Sequence, residues 1–382
     1  MNILACTLLV LDIIYLLICY IFNLKLTNKK IVLILIAIAY PIMILCLNQK
    51  PPESFDLYRY FLEMDYIRKL NFEQSIEFIF LKPNFLWFAF ERLIALISKN
   101  NNVIFLFSIP ITIVPFIYIL TDVNKNHKLS NRQIVISIVA FFSIINTIHL
   151  MSGIRNALAI SIFSIGMYMD VFKNKKIGFL FYILSLLFHP MVILVLIFRI
   201  FYKLISKIKI KIYIGKYIIL FWAFFSKIVL YLLKLMLTVV PIKMLDLYVN
   251  KFNVELTLKI GADYRVMIFE FIQILLILIL IYRNLKLNKN TDKRILIFYY
   301  LCFFIIGSIT LFNIFTRTRF IFAYFLPYIL CCSNKIKRFS RKNKRYNTII
   351  EHILMIVTLF INIYYVYFMY CNGVFIWKVL KY

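Results

Sequence analysis

Long apolar runs alternate with short polar breaks over most of the chain. The runs lie near 3–22, 31–47, 103–120, 133–150, 154–171, 177–188, 191–205, from 217 onward, 265–282, 295–312, 320–332 and 348–370. Most approach the ~20 apolar residues that a helix needs to cross the ~30 Å hydrocarbon layer. The pattern predicts an all-α, polytopic integral membrane protein of about 12 transmembrane helices, a single transmembrane domain over 1–382.

Basic residues orient these spans. Lys25, Lys29 and Lys30 follow the first run, and further basic breaks lie at 125–132, 173–176, 203–216, 283–294 and 334–345. Cytoplasmic loops collect Lys and Arg, so these breaks face the cytoplasm and both termini face outward. Most acidic residues fall in the opposite loops, which agrees with that orientation. The run Pro83–Ser98 does not fit as a span. Crossing there would move the breaks at 125–132 and 173–176 outside, and Glu91–Arg92 sits in its middle. It is therefore expected as a re-entrant or interfacial helix inside a first external segment, 48–102. A second external loop covers 241–264. Reading the runs on either side of His189–Pro190 as one kinked helix would invert everything downstream and put the most basic loop outside.

Composition adds three points. With 63% hydrophobic and 16% charged residues among 382, no large soluble domain is left over. The net charge of +29 belongs to the cytoplasmic loops and does not imply nucleic acid. The seven cysteines lie in or beside apolar runs without metal-ligand spacing, as small packing residues. The first run lacks a basic leader and a small-residue cleavage site, so a retained span is expected.

Candidate chemistry is narrowed by what is missing. The sequence contains no GxxxxGK[ST] phosphate loop, no HExxH or CxxC metal pattern and no DxD pair, so neither a cofactor nor a metal is expected. There remain external charges near membrane depth: Asp56, Arg155, His189, Arg265, Arg317 and Arg319, with Tyr58, Tyr60 and Trp87 nearby in the first external segment. Residues 149–190 form an up-and-down hairpin that returns the chain to one side, so Arg155 and His189 share one membrane face. Guanidinium groups bind phosphate oxygens in pairs and stay charged. Aromatic faces suit sugar rings. An external Asp or His can accept a proton from a sugar hydroxyl. Each residue also has a plainer reading. Arg155, Arg317 and Arg319 can anchor helix ends at the headgroups, His189 can sit in a hairpin turn, and Asp56 can cap a helix.

Three stretches in order, PESFDLYRYFLEMD (52–65), SGIRNALAISIF (152–163) and KNKKIGFLFYILSLLFHPMVIL (173–194), resemble motifs of the EpsG family, related to Wzy-type polysaccharide polymerases. TRTRFIFAYFLP (316–327) is similar to a later Arg-aromatic segment. The chain has Asn156 where Gln commonly follows the arginine, and Pro190 where Ser commonly follows the histidine. The resemblance implies a multi-pass protein of the cytoplasmic membrane that joins lipid-linked repeat units on its outer face, in exopolysaccharide, capsule or O-antigen assembly. Its substrate would be a polyprenyl-diphosphate-linked oligosaccharide, and a flippase and a chain-length regulator would be its associates. On this expectation Arg155 with Arg317 or Arg319 holds the diphosphate, His189 or Asp56 acts on the acceptor hydroxyl, and Arg265, Tyr58 and Tyr60 bind substrate, without metal. A lipid-linked sugar flippase and a glycan acyltransferase are the competing readings.

Overall fold

The computed structural model describes residues 2–47, 51, 56–190, 192, 193, 195, 196, 199, 221, 225, 228, 231, 235, 264–287, 293–308, 315, 318–334 and 341–371. The expected loop residues 241–263, Arg317 and most of the two expected spans after Pro190 lie outside these. The described residues are helical, with turns between.

Two helices open the chain, α1 (Asn2–Ile21) and α2 (Asn28–Leu47). Three shorter helices follow: α3 (Asp56–Lys69), α4 (Phe72–Phe80) and α5 (Phe85–Ile97). After them come α6 (Ile104–His127), α7 (Asn131–Ile144), α8 (Thr147–Ser152), α9 (Ile154–Met167) and α10 (Gly178–Phe188). Four further helices are α11 (Tyr264–Leu287), α12 (Lys293–Gly307), α13 (Phe320–Asn334) and α14 (Arg341–Cys371). Among the described residues, five helices are long and apolar enough to cross a membrane: α1, α2, α6 with the turn before it, α11 and α14. The shorter apolar helices α7, α10, α12 and α13 accompany them. This is a helical membrane protein.

The chain divides into two compact units. The first comprises residues 1–197, 321–331 and 358–379; the second comprises 198–320, 332–357 and 380–382.

In the first unit α7 is buried continuously from Gln133 to its end at Ile144. Its start is set locally. Ser130 accepts from the Gln133 N–H while the Gln133 side chain accepts from the Ser130 N–H, which satisfies two otherwise orphaned donors. Its core contact is Phe116 stacked on Phe141 at 4.0 Å, with Tyr324 edge-on to Phe141 at 5.4 Å. Buried amides and hydroxyls tie remote segments to free carbonyls. Gln133 donates to the Leu330 carbonyl, Asn362 to Val139 and Tyr324 to Thr112. Such bonds are worth most where water is absent.

The expected span 133–150 is not one helix. It breaks after Ile144, and Asn146 accepts from the His149 N–H to start the short α8. An asparagine side chain that competes for backbone N–H groups favours a cap over a helix interior.

The expected hairpin is present. α9 runs through a π-helical turn, Tyr168–Phe172, and α10 packs back along it. Two glycines allow the approach. A Cβ on Gly178 would stand 2.6 Å from the Gly166 carbonyl oxygen, and one on Gly166 would stand 2.9 Å from that of Gly178. Polar groups lock the same end. Tyr182 donates to Asp170 at 3.0 Å, Tyr168 donates to Asp122, and Lys173 pairs with Asp122 at 2.5 Å. Gly178→Ala is expected to cost about 1–3 kcal/mol of stability, because backbone rather than a flexible side chain must move. Gly178→Val costs more. The thermal midpoint of the detergent-solubilised protein is the measurement, and an unchanged midpoint would refute the close-packing account.

In the segment expected to be external, 48–102, the single expected helix, Pro83–Ser98, is one of three. α5 falls within those bounds, but it is no loose surface helix: Trp87 and Glu91 are fully buried against α3 and its neighbours. The strongly two-faced element is α4, begun by an Asn71–Gln74 capping box. Phe72, Ile76 and Phe80 line its exposed side at helical spacing, and Leu81 follows.

Candidate functional site

Within the first unit α3 packs on α5 and α8, α10 ends against α5, and Arg155 in the first turn of α9 reaches Tyr60 of α3. α3 contributes Asp56, Tyr58, Tyr60 and Glu63; α5 contributes Trp87 and Glu91; α9 contributes Arg155. The hairpin delivers His189 at the end of α10, where Phe188 lies edge-on to Phe90 of α5 at 6.3 Å.

Tyr60 is the centre of this arrangement. It is 1% exposed and packs edge-on to Trp87 at 4.9 Å. The Arg155 guanidinium carbon lies 5.5 Å from its ring centroid, and Arg59 stands at the same distance. A cation over an aromatic face gains about 0.5–2 kcal/mol, more as water is excluded. Burial pushes the Tyr60 hydroxyl up to about 12, so it stays a donor.

The polar atoms around Tyr60 are largely unmatched. Both carboxylate oxygens of Glu91, Oε2 of Glu63, the Trp87 indole N–H and the Arg155 Nε–H are buried without a hydrogen-bond partner among the described residues. Native proteins leave few such groups, and each calls for a reason. Burial raises the Glu91 carboxyl well above its ordinary range; Glu63 adds to the shift, while Arg155, the Trp87 N–H and Arg59 oppose it. The indole stands one turn away from Glu91 but out of hydrogen-bonding geometry. Glu63 is also raised by burial, with Arg59, Arg155 and Lys82 pulling it down. Two carboxyl groups in one dry place resist ionising together.

The other sequence candidates fall differently. Asp56 opens α3 half-exposed, with its carboxylate 3.1 Å from Arg59. Tyr58 is half-buried on the same helix. His189 is buried and extended at the end of α10, and its backbone N–H donates to the Ser185 carbonyl. Arg265 lies in the first turn of α11, and Arg317 is outside the described residues. Arg319, in the second unit, is buried, and its guanidinium pairs with Glu270 of α11. Glu63, Glu91 and Glu270 are the acidic groups that the sequence does not single out as site residues. The available signal is positional: Glu91 lies at helical spacing with Trp87, Ile94 and Ala95, a carboxylate on an apolar face.

The polar, aromatic-walled cluster thus lies on helices other than the five that are long and apolar enough to cross a membrane. The chain belongs to the EpsG family, whose match covers residues 53–378. That range contains the whole cluster. No curated protein and no solved structure matches the chain.

Proposed function

We propose that the protein is an oligosaccharide repeat-unit polymerase that joins polyprenyl-diphosphate-linked glycans on the outer face of the cytoplasmic membrane. Membership of the EpsG family supports an exopolysaccharide-related polymerase as the general class. The observation that carries the finer reading is Arg155, a guanidinium over the Tyr60 ring with a buried Nε–H unbonded among the described residues, and near enough to Glu63 and Glu91 to act on both. It makes no ion pair among the described residues, unlike Arg319. A diphosphate supplies the acceptors it lacks, and the guanidinium stabilises the charge that develops on that departing group.

In this reading about 12 spans hold both termini outside, and residues 48–102 stay external. The exposed apolar side of α4 lies in the outer leaflet, and Tyr60 and Trp87 present aromatic surface to sugar. Arg155 fixes the diphosphate without a metal. The polymer belongs to a capsule, O-antigen or related exopolysaccharide.

Removing the protein is expected to leave single lipid-linked repeat units unextended on the outer leaflet. The measurement is the leaflet distribution and length of carrier-linked glycans in cells lacking it. Repeat units confined to the cytoplasmic leaflet would instead identify a flippase.

A further inference from the structure

Glu91 is the least expected charge in the first unit. It occupies a fully buried position on the face of α5 shared with Trp87, Phe88, Ile94 and Ala95. A carboxyl group placed there for architecture would be paired, because burying it alone is costly. Among the described residues neither Glu91 oxygen meets hydrogen-bonding geometry, and the Trp87 N–H one turn away only partly favours its ionised form. The unbonded atoms beside it are of both kinds: acceptors on Glu91 and Glu63, donors on Trp87 and Arg155. A phosphate carries acceptors alone and is repelled by the carboxyl groups, so it suits only the Arg155 side. A sugar hydroxyl donates and accepts, and so satisfies both kinds.

We propose that Glu91 is the general base of the transfer reaction, accepting the proton of the attacking sugar hydroxyl. This rests on the polymerase reading. The acceptor oxygen bonds to the anomeric carbon of the donor glycan while its proton passes to a Glu91 oxygen. The bond from that carbon to the diphosphate breaks, and the electron pair leaves with the lipid diphosphate held by Arg155. Glu91 then returns the proton to water. The other candidates are less suited. Asp56 is half-exposed and engaged by Arg59. His189 has its own partners at the end of α10.

The charged and titratable groups facing Glu91 set its pH response. From α3 these are Arg59, Tyr60 and Glu63, with Asp56 acting on Tyr60 and Glu63 behind them, and from α9 Arg155. Lys82, between α4 and α5, reaches Glu63, and His189 ends α10. Burial and Glu63 outweigh the cations, so Glu91 binds its proton well above the ordinary carboxyl range. A base must be ionised to work, so the rate rises with pH along a limb displaced upward from about 4.3. Stability runs the other way. As pH climbs above about 4.3, the unfolded chain gives up this proton before the folded one does, so folding loses stability through that window. Glutamine, neutral and of the same shape, escapes the loss.

The test uses the full chain in lipid vesicles with lipid-linked repeat units extracted from cells lacking the protein. Initial transfer rate is followed against pH for the natural protein, Glu91→Gln and Glu91→Asp. Thermal midpoints are read with and without farnesyl diphosphate. Glu91→Gln is expected to lower the rate about a hundredfold or more. It should keep the farnesyl diphosphate shift and melt higher than the natural protein near neutral pH. Glu91→Asp should retain part of the rate with a moved acid limb. The proposal is overturned if Glu91→Gln transfers within tenfold of the natural protein. It is also overturned if that variant loses the farnesyl diphosphate shift along with the rate, or if the natural acid limb lies in the ordinary carboxyl range. A natural protein that binds farnesyl diphosphate yet transfers nothing would sink the polymerase reading itself.

Discussion

Arg155→Lys is expected to lower polymer formation about tenfold to a hundredfold at equal protein level in the membrane. Lysine keeps the positive charge but loses the planar fork that meets two phosphate oxygens at once. A hydrogen bond to a charged group is worth about 1.5–3 kcal/mol, and ~1.4 kcal/mol is tenfold in rate. Lysine also gives up the flat overlap with Tyr60, where the guanidinium now lies 5.5 Å from the ring centroid. Arg155→Ala should cost more, because Glu63 and Glu91 would then face the diphosphate with no cation between. If the residue only anchors the start of α9 at the headgroups, lysine serves nearly as well, since snorkelling needs only a cation on a flexible stem. Polymer length and amount decide between the two, and full activity in Arg155→Lys would remove the diphosphate role.

Arg319→Met is expected to destabilise the protein by about 3–5 kcal/mol, by leaving Glu270 buried without its cation. The double variant Arg319→Met with Glu270→Leu should recover most of that loss, because a well-packed apolar pair commonly equals or exceeds a buried ion pair. Thermal unfolding in detergent measures both. The same pair of variants separates two roles for Arg319. A double variant that folds and polymerises makes the arginine a structural partner of α11. One that folds but forms no polymer returns it to the substrate.

The helical class, the α9–α10 hairpin and the shared end for Arg155 and His189 are legible in the residues themselves. Apolar run length sets the helices, and the basic turn at Lys173–Lys176 marks the reversal. The segment 48–102 is half legible. Parity of the basic loops sets Pro83–Ser98 apart, yet Glu91 and Arg92 count there only as charges hostile to a span. In the structure Arg92 donates to the Ile67 carbonyl, while Glu91 turns inward. Helical spacing reveals the face a residue occupies, but the facing partner comes from an element far along the chain. The convergence of Glu91, Glu63 and Arg155 is therefore a property of packing, and no local pattern contains it. The break at Asn146 illustrates a different limit. A hydropathy run does not register one side chain that captures a backbone N–H.

The two glycines at the closed end of the hairpin have a mechanical consequence. Gly166 stands eleven residues after Arg155, and His189 stands eleven after Gly178. The hairpin is thus a pair of equal arms, each about 16 Å long at 1.5 Å per residue, crossing at a pivot with almost no slack. A rotation of about 5° at that pivot would displace a tip by ~1.4 Å over such an arm. Misplacement of about 1 Å can cost a hundredfold in rate. The smallest residues in the hairpin therefore act as the fulcrum that gauges the spacing of its two far tips, from the opposite end of the lever.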